Sequence, residues 1–301
     1  MSMTTGCRKI IKKLPFIRDV IRMRDECGCY CPGHFHSPIP SLSEIRSDEA
    51  SIWRNPTKEV PGIEMREKEQ LELLDVLSQY YHEIPFPAHK SSKCRYYYEN
   101  PTYSYSDAII LYSLIRHLRP RQIIEVGSGF STCVSMDTNE FFFQNSIRVT
   151  CIEPYPERLL ALIKNTDKNK INLFPQKLQD IDLDTFKSLK ANDILFFDST
   201  HVSKINSDVN HIFFKILPIV PSGVYIHFHD IFFPFEYPRE WVYAGRAWNE
   251  AYILKAFLQH NDRYQIVFMN TFLKNFHEDV IRQKMPLWLK NGGGGIWIYK
   301  K

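Results

Sequence analysis

From about residue 105 to the C terminus, short apolar runs alternate with longer segments whose apolar residues recur at helical spacing. Short apolar runs rich in β-branched and aromatic residues predict strands that are buried on both faces. Strands that alternate with helices predict a mainly parallel sheet with right-handed crossovers. The predicted strands are a run ending at Val126, then 148–153, 171–174, 193–198, 223–230, 264–269 and 295–299.

The predicted helices carry apolar residues three or four positions apart. They are 64–82, 107–118, 130–143, 156–164, 203–217 and 241–260. No helix is predicted between the last two strands, where a 25-residue connection contains Pro286 and a run of four glycines. Such a connection favours an antiparallel return of the last strand.

Three segments are predicted along the chain: a basic helix with a proline-rich extension over 1–62, a helical and aromatic cap over 63–104, and the α/β domain over 105–301. Residues 7–25 carry an apolar stripe surrounded by lysine and arginine and interrupted by Pro15. This stripe fits a helix on an anionic membrane surface, or a basic helix packed on the domain or on a second subunit. Peripheral membrane contact and a homo-oligomer therefore both stay open.

Cysteine spacing near the N terminus raises the question of a zinc site. Cys27, Cys29 and Cys31 precede His34 and His36. Structural zinc sites usually combine two cysteine pairs, and the sequence has no second pair, so zinc is not predicted here. The proline-rich loop that follows could fold over a cleft or could serve as a linker on the surface. The local sequence does not distinguish these two interpretations.

Composition and charge narrow the functional classes. With 44% hydrophobic and 24% charged residues, the chain has an ordinary globular composition. The first 24 residues hold seven lysines and arginines against one aspartate, so they carry +6 and the rest of the chain −2. The chain after residue 24, with a net charge of −2, is not expected to bind nucleic acid. Seven cysteines without a regular framework predict free thiols and a cytoplasmic location.

The most informative stretch is the turn after the first predicted strand. Gly127 and Gly129 allow a tight turn and a close approach to a ligand. Ser131 can help to satisfy the free N–H groups of the following helix. A glycine turn of this kind is a weak signal on its own. Glu125, two residues before the first glycine, would repel a pyrophosphate and favour a cationic ligand.

The pattern Glu125-x-Gly127-x-Gly129 followed by Ser131 resembles motif I of the class I S-adenosylmethionine-dependent methyltransferases. The resemblance covers about residues 105–301. It implies a Rossmann-like, doubly wound α/β fold with a mainly parallel seven-stranded sheet and an antiparallel C-terminal strand. Three further motifs together resemble a bacterial subgroup of this family: Gly-His-Phe-x-Ser-Pro-Ile-Pro over 33–40, Phe-Asp-Ser-x-His-Val over 197–202 and His-Asp-Ile-Phe-x-Pro-x-x-Tyr-Pro over 229–238.

The same resemblance implies a set of cofactor-binding residues. Glu125 would lie near the methionine end of S-adenosylmethionine, and the glycines would line this cofactor. Glu153, which ends the second predicted strand, matches the family residue that binds the ribose hydroxyls. Gln179 follows the third strand, where the family often recognises adenine. Asp198 is also expected to border the cofactor.

Four residues near the ends of the fourth and fifth strands are the predicted catalytic group: Asp198, His201, His229 and Asp230. Carboxylates with imidazoles can hold a divalent ion. The arrangement resembles the branch typified by catechol O-methyltransferase, where acids after these strands bind magnesium, although Ile231 stands where that branch has asparagine. Two interpretations stay open: a cation held by the aspartates, or a histidine that acts as general base on a hydroxyl.

The aromatic segment after the fifth strand is predicted to form a wall around the methyl acceptor or, alternatively, a cluster that holds the last helix. The predicted acceptor contacts are Tyr103, Tyr237, Arg239, Trp241 and Trp248. The chain is therefore predicted to be an S-adenosylmethionine-dependent O-methyltransferase with a small or glycan-like polar acceptor. The alternatives are a metal-dependent enzyme similar to cephalosporin hydroxylases and a non-catalytic scaffold protein.

Overall fold

A computed structural model describes residues 30–301. The predicted basic helix over 7–25, together with Cys27 and Cys29, lies outside the described residues. The chain divides into two compact units. The larger unit comprises 56–238 and 248–301, and the described part of the smaller unit comprises 30–55 and 239–247.

The larger unit is built on one seven-stranded sheet with the order β3-β2-β1-β4-β5-β7-β6. The first five strands in this order are parallel, and β7 pairs antiparallel with both β5 and β6. The predicted doubly wound, mainly parallel sheet with an antiparallel last strand is confirmed. The strands are β1 Gln122–Val126, β2 Arg148–Ile152, β3 Ile171–Phe174, β4 Ile194–Phe197, β5 Tyr225–His229, β6 Tyr264–Met269 and β7 Gly295–Lys300.

Helices alternate with the strands along the larger unit, as the sequence pattern predicts. The α-helices are α1 Leu42–Ile52, α2 Glu67–Ser78, α3 Tyr105–Leu118, α4 Phe130–Phe143, α5 Glu157–Leu162, α6 Asp184–Lys187, α7 Asp208–His211, α8 Leu217–Ile219, α9 Arg239–Tyr243, α10 Glu250–Leu258, α11 Asn270–Phe276 and α12 Glu278–Lys284. A π-helical turn, Ile212–Ile216, joins α7 to α8. Short 3₁₀ helices occupy Tyr81–Glu83, Asn165–Asn169, Leu178–Asp180 and Pro286–Lys290.

Two helix predictions are wrong. The helix predicted over 241–260 is two helices, α9 and α10, because the chain turns at Gly245, whose φ of +85° lies in the left-handed region that favours glycine. The connection between β6 and β7 contains α11 and α12, although no helix was predicted there. Each of these helices has only seven residues, too few to show a repeating apolar pattern. They are stabilised by burying side chains such as Phe272 and Ile281.

Helix α3 belongs to the core, since all of its residues are buried except Arg116 and His117. Central strands β1 and β4 are buried at every position. Such two-sided burial is typical of parallel sheets covered by helices. The ends of these strands are therefore held in fixed positions relative to one another.

A buried arginine, Arg95, joins the segment before α3 to helix α4 and to the 3₁₀ helix Asn165–Asn169. Only 2% of the Arg95 side-chain surface is exposed, and it pairs with Asp137, Glu140 and Asp167, each at 2.6 Å. The Arg95 and Tyr96 backbone N–H groups also donate to Asp137 Oδ2. This cluster fixes the segment that leads into the core helix, and the sequence pattern gave no indication of it.

No helix within residues 30–301 is both long enough and apolar enough to cross a membrane.

Candidate active site

Four strand ends define the candidate site in the larger unit. Glu153 follows β2, Asp198 follows β4 and Asp230 follows β5, while the glycine turn follows β1. Because these strands are parallel, the four ends lie at the same edge of the sheet. In open α/β sheets this edge is where ligands bind.

The turn after β1 requires its first glycine. Gly127 has a φ of +83°, and its N–H donates to Ile152 O at 3.0 Å. A Cβ at this position would lie 1.6 Å from Asp198 O. Gly129 differs, since its φ of −173° is extended backbone and only Arg158 Cδ lies near the place of a Cβ, at 3.6 Å. Gly127 therefore allows the β1 turn to approach the end of β4.

The Gly127→Ala change is expected to lower the free energy of unfolding by about 3 kcal/mol, because it adds a clash to a left-handed backbone. Gly129→Ala is the matched control, with an expected loss below about 1 kcal/mol. Urea unfolding of both variants checks this. Equal stabilities of the two variants would contradict the close approach of the turn to Asp198.

Glu125 lies buried beneath the turn, with 1% of its surface exposed. Its Oε1 accepts a hydrogen bond from Ser131 Oγ, whereas Oε2 has no partner among the described residues. Burial raises the pKa of Glu125 to about 8, against the hydrogen bonds from Ser131 and Thr132, and the Asp198 and Glu153 carboxylates raise it further. A cationic ligand near Oε2 would stabilise the ionised carboxylate.

The raised pKa of Glu125 makes stability depend on pH. Because the folded state binds this proton more tightly than the unfolded chain, stability is lost as pH rises from about 4.5 toward about 8. The free energy of unfolding is expected to fall by up to about 1.4 kcal/mol per pH unit in this window from Glu125 alone. Glu125→Gln should remove this contribution, as measured by urea unfolding at a series of pH values. Identical pH profiles for both proteins would contradict it.

Glu153 is held by backbone donors at the mouth of a cavity. Its Oε2 accepts from Ser128 N at 3.1 Å and its Oε1 accepts from Tyr155 N at 2.8 Å. Each oxygen keeps a second lone pair for another donor. The adjoining cavity of about 450 Å³ is lined by Gly127, Glu153, Gln179 and Asp198, among others.

Two features of this cavity suit a nucleoside-sized ligand. Its volume falls within the range of small-molecule sites, roughly 300–1,000 Å³. Ser199 Oγ is buried in its lining and has no hydrogen-bond partner among residues 30–301. Gln179, predicted near adenine, borders the cavity, and its Nε2 donates to Asn206 O at 2.6 Å.

A carboxylate and imidazole cluster lies at the ends of β4 and β5. His201 Nε2 is 3.3 Å from Asp198 Oδ1 and 3.6 Å from Asp230 Oδ2. His229 Nε2 is 3.6 Å from Asp230 Oδ1. The structure thus brings together the four residues that the sequence analysis grouped as catalytic. Asp198 also borders the cavity, so the cluster and the cavity meet at this residue.

His201 is fixed from several sides. Its Nδ1 lies 2.9 Å from Glu250 Oε2, and both side chains are buried. Its carbonyl oxygen accepts from the backbone N–H groups of Asn249 and Glu250, each at 3.1 Å. The Trp248 ring lies 4.4 Å from the imidazole, measured between centroids. The backbone φ of His201 is +59°, which is rare for a residue other than glycine, and such backbone conformations often occur at functional sites.

The charges of the cluster are strongly coupled. Burial opposes a charge on His201, but hydrogen bonds to Asp198 and Glu250 outweigh it and raise the pKa of His201 to about 10. Burial would raise the pKa of Asp198, yet His229 and His201 leave that pKa lowered. At neutral pH the cluster therefore combines ionised aspartate with a positive charge at His201. This protonated imidazole has no lone pair at Nε2 with which to accept a proton.

Behind this cluster lie groups that position His229. His227 Nε2 is 3.5 Å from His229 Nδ1, and burial keeps the pKa of His227 well below its usual value. The Tyr103 ring is 5.1 Å from that of His229, and the Tyr103 hydroxyl donates to Asp107 O. Burial raises the pKa of Asp107 to about 6, with His229 acting the other way. His227 is thus a buried, neutral support.

The predicted acceptor contacts fall in different places. Tyr103 and Tyr237 are buried, and Tyr237 Oη accepts from Ala251 N at 3.1 Å. Trp248 is half-buried beside His201. Arg239 and Trp241 belong to the smaller unit, where Arg239 Nε pairs with Glu49 Oε1 at 2.7 Å.

Two further buried acids, Glu250 and Asp107, lie near the predicted catalytic residues but are not among them. Glu250 opens α10 and pairs with His201, a relationship between residues 49 positions apart that no local pattern reveals. Asp107 lies in the buried first turn of α3, where Oδ1 accepts from Asn270 Nδ2 at 2.9 Å and from Gly294 N at 3.2 Å. The only sequence feature that could have pointed to Asp107 is its position as an acid in a mainly apolar helix.

Comparison with known proteins gives a family match in the central part of the chain. Residues 124–231 match a family described as "Methyltransferase domain". An uncharacterised protein from Archaeoglobus fulgidus is 36% identical over 189 residues, which cover 60% of this chain and 83% of that protein.

Among solved structures, an S-adenosylhomocysteine-bound methyltransferase from Podospora anserina has a TM-score of 0.43 and 14% identity, covering 91% of this chain and 99% of that chain. An O-methyltransferase from Streptomyces achromogenes involved in tomaymycin synthesis, in complex with S-adenosylmethionine, has a TM-score of 0.42 and 13% identity, covering 86% of this chain and 96% of that chain. The chain belongs to the same family as the archaeal protein, and its residues 124–231 match the methyltransferase-domain family model.

Proposed function

We propose that this protein is an S-adenosylmethionine-dependent methyltransferase that methylates a hydroxyl oxygen of a small or glycan-like polar acceptor. One observation carries the proposal. Asp198 borders both the nucleoside-sized cavity beside Glu153 and the cluster that contains His201 and Asp230. A cofactor site and a reaction site would therefore share one residue.

The residues at the β1 and β2 ends fit the cofactor. Glu125 offers an unpartnered buried oxygen to a cationic group, and Glu153 offers the remaining lone pairs of a fixed carboxylate to two hydroxyls. Ser199 and Gln179 line the part of the cavity that would enclose the base. When bound, S-adenosylmethionine supplies a methyl carbon that passes to the acceptor oxygen as its bond to sulfur breaks.

The cluster at the β4 and β5 ends would activate the acceptor. One of the two aspartates, Asp198 or Asp230, would accept the hydroxyl proton, because the hydrogen bonds to Asp198 and Glu250 raise the pKa of His201 to about 10 and keep it protonated. His201 and His229 compensate the charge of these carboxylates. Most of the rate enhancement would come from holding the acceptor oxygen in line with the methyl group.

Asp198, His201 and Asp230 also support a second candidate, a metal-dependent enzyme that does not transfer methyl groups. Such an enzyme would use the same edge of the sheet. It would need a divalent ion for activity and would form no S-adenosylhomocysteine. The predicted cytoplasmic location and the predicted membrane contact through 7–25 remain proposals.

The proposed function is tested by incubating the protein with S-adenosylmethionine and separate sets of phenolic, sugar, hydroxy-acid, amine and thiol acceptors, and by measuring S-adenosylhomocysteine. Each set is run with and without Mn²⁺. Acceptor-dependent product that disappears in Asp198→Ala would support O-methylation. Product formed only with amine or thiol acceptors would contradict the assignment to oxygen, and no product with any acceptor would favour the metal-dependent alternative.

A further inference from the structure

We infer that a cavity at the edge of the sheet opposite the candidate active site is a second ligand site, and that it binds a small ligand carrying several phosphate groups. The cavity has a volume of about 980 Å³ and lies within the larger unit. Arg121, Gln122 and Arg148 line it at the starts of β1 and β2. The inference does not depend on the proposed function, because the groups proposed for methyl transfer lie where the strands end.

The charged residues in the lining of this cavity are all cations. They are exposed side chains, namely Arg119, Arg121, Arg148, Lys170 and Lys190. No aspartate or glutamate is part of the lining. A concave surface that carries one sign of charge raises the local concentration of ligands of the opposite sign. The charge of the lining therefore favours an anion.

The register of the sheet places four of these cations in a row. Arg148 opens β2 opposite Gln122 of β1, and its N–H donates to Arg121 O at 3.0 Å. Lys170 directly precedes β3, which pairs with β2. Lys190 lies in the loop that leads into β4, which pairs with β1. Because neighbouring strands lie about 4.8 Å apart, a row across four strands extends roughly 14 Å, long enough to contact several phosphate groups of one ligand.

A buried acid fixes the backbone on one side of the cavity. Asp193 is fully buried, and its Oδ1 accepts from the N–H groups of Arg121 and Gln122 at 3.0 and 3.1 Å. Its Oδ2 accepts from Lys190 N at 2.8 Å. Gln122 is also buried, and its Nε2 donates to Ser188 O at 2.9 Å. The backbone that carries two of the cations is thus held in place before a ligand binds.

Most of the positive charge in the lining is not compensated by the protein. Within residues 30–301, no ion pair is formed by Arg119, Arg148 or Lys190. Arg121 pairs with Asp193 at 3.8 Å. Lys170 pairs with Glu140 at 3.1 Å. Like charges on neighbouring strands destabilise a sheet, and a bound anion would offset this repulsion.

The types of side chain indicate the class of anion. Guanidinium groups donate paired hydrogen bonds to phosphate oxygens, and lysine adds a compact positive charge. Three arginines and two lysines therefore fit a ligand rich in phosphate. A single-stranded nucleic acid would also need aromatic side chains on which its bases stack, and Phe143 is the one aromatic residue in the lining. The lining thus favours a soluble oligophosphate or a phosphorylated lipid headgroup.

The test uses the full-length protein and sodium tripolyphosphate, with binding measured by calorimetry at low ionic strength. We expect binding that weakens as salt is added. The double variant Arg148→Glu with Lys190→Glu should bind at least about tenfold more weakly, because each change turns an attraction into a repulsion. The matched control, Lys215→Glu with Arg263→Glu, makes the same change in net charge at two exposed cations outside the lining. It should bind within about twofold of the wild-type protein.

Circular dichroism establishes that both double variants are folded before binding is compared. Pelleting with phosphatidylcholine vesicles that contain a phosphoinositide separates the two sources of phosphate. Capture that is lost in Arg148→Glu with Lys190→Glu would support a lipid headgroup, and tripolyphosphate binding without capture would support a soluble ligand.

Three results would overturn the inference: no binding of tripolyphosphate to the folded wild-type protein, equal loss of binding in the two double variants, or tighter binding of a single-stranded oligonucleotide than of tripolyphosphate. Binding of S-adenosylmethionine is measured separately on the same samples and should not change in either variant. The second site and the proposed methyl transfer can therefore fail independently.

Discussion

The Asp198→Asn variant is expected to lose methyl transfer by about 10²–10⁴-fold in kcat, the range expected for removal of a group that positions or accepts a proton. Asparagine keeps the size of the side chain but removes the charge that faces His201. The fold should survive, because 32% of the Asp198 side chain is exposed and its backbone contact with the β1 turn is unchanged. Initial rates with a saturating acceptor measure the effect.

Asp262→Asn provides the matched control, since Asp262 is an exposed carboxylate before β6. Its rate should equal that of the wild-type protein. A kcat for Asp198→Asn within a few-fold of the wild-type value would mean that the cluster does not take part in the reaction, even if the cofactor still binds.

The Arg95→Met variant is expected to lose about 3–5 kcal/mol of unfolding free energy, which approaches the whole stability of many domains. Methionine fills much of the space but leaves Asp137 and Asp167, both fully buried, without their cation. Leaving a buried carboxylate without its cation costs more free energy than the intact ion pair contributes to stability. Urea unfolding at neutral pH gives the change in free energy.

Arg282→Met is the matched control. Arg282 pairs with Glu278 on the surface of α12, with 63% of its side chain exposed. Exposed pairs of this kind contribute about 0.5 kcal/mol or less. If Arg95→Met were as stable as Arg282→Met, the buried cluster would have no role in holding the segment that leads into α3.

The sequence allowed the sheet and the strand-end acids to be predicted, because both follow from local patterns. Buried parallel strands appear as continuous apolar runs, and an acid directly after such a run must lie at the ligand-binding edge. Glu153, Asp198 and Asp230 were located in this way.

Relations between distant segments could not be predicted from local patterns. His201 meets Glu250 through a helix that begins 49 residues later, and Arg95 meets Asp167 across 72 residues. The short helices α11 and α12 were missed for a related reason, since packing against the sheet rather than local propensity stabilises them. The raised pKa of His201 could not be predicted either, because it depends on the Asp198 and Glu250 carboxylates, and Glu250 is brought near only by the fold.

Calorimetric titration of the purified protein with S-adenosylmethionine is the most direct test of the central claim. We expect one site per chain with a dissociation constant on the order of micromolar, comparable to typical substrate affinities. Glu153→Ala should abolish this binding, whereas Glu157→Ala, an exposed acid at the start of α5, should preserve it. Absence of binding to the folded wild-type protein, or equal binding in the two variants, would contradict the assignment of this edge of the sheet to S-adenosylmethionine.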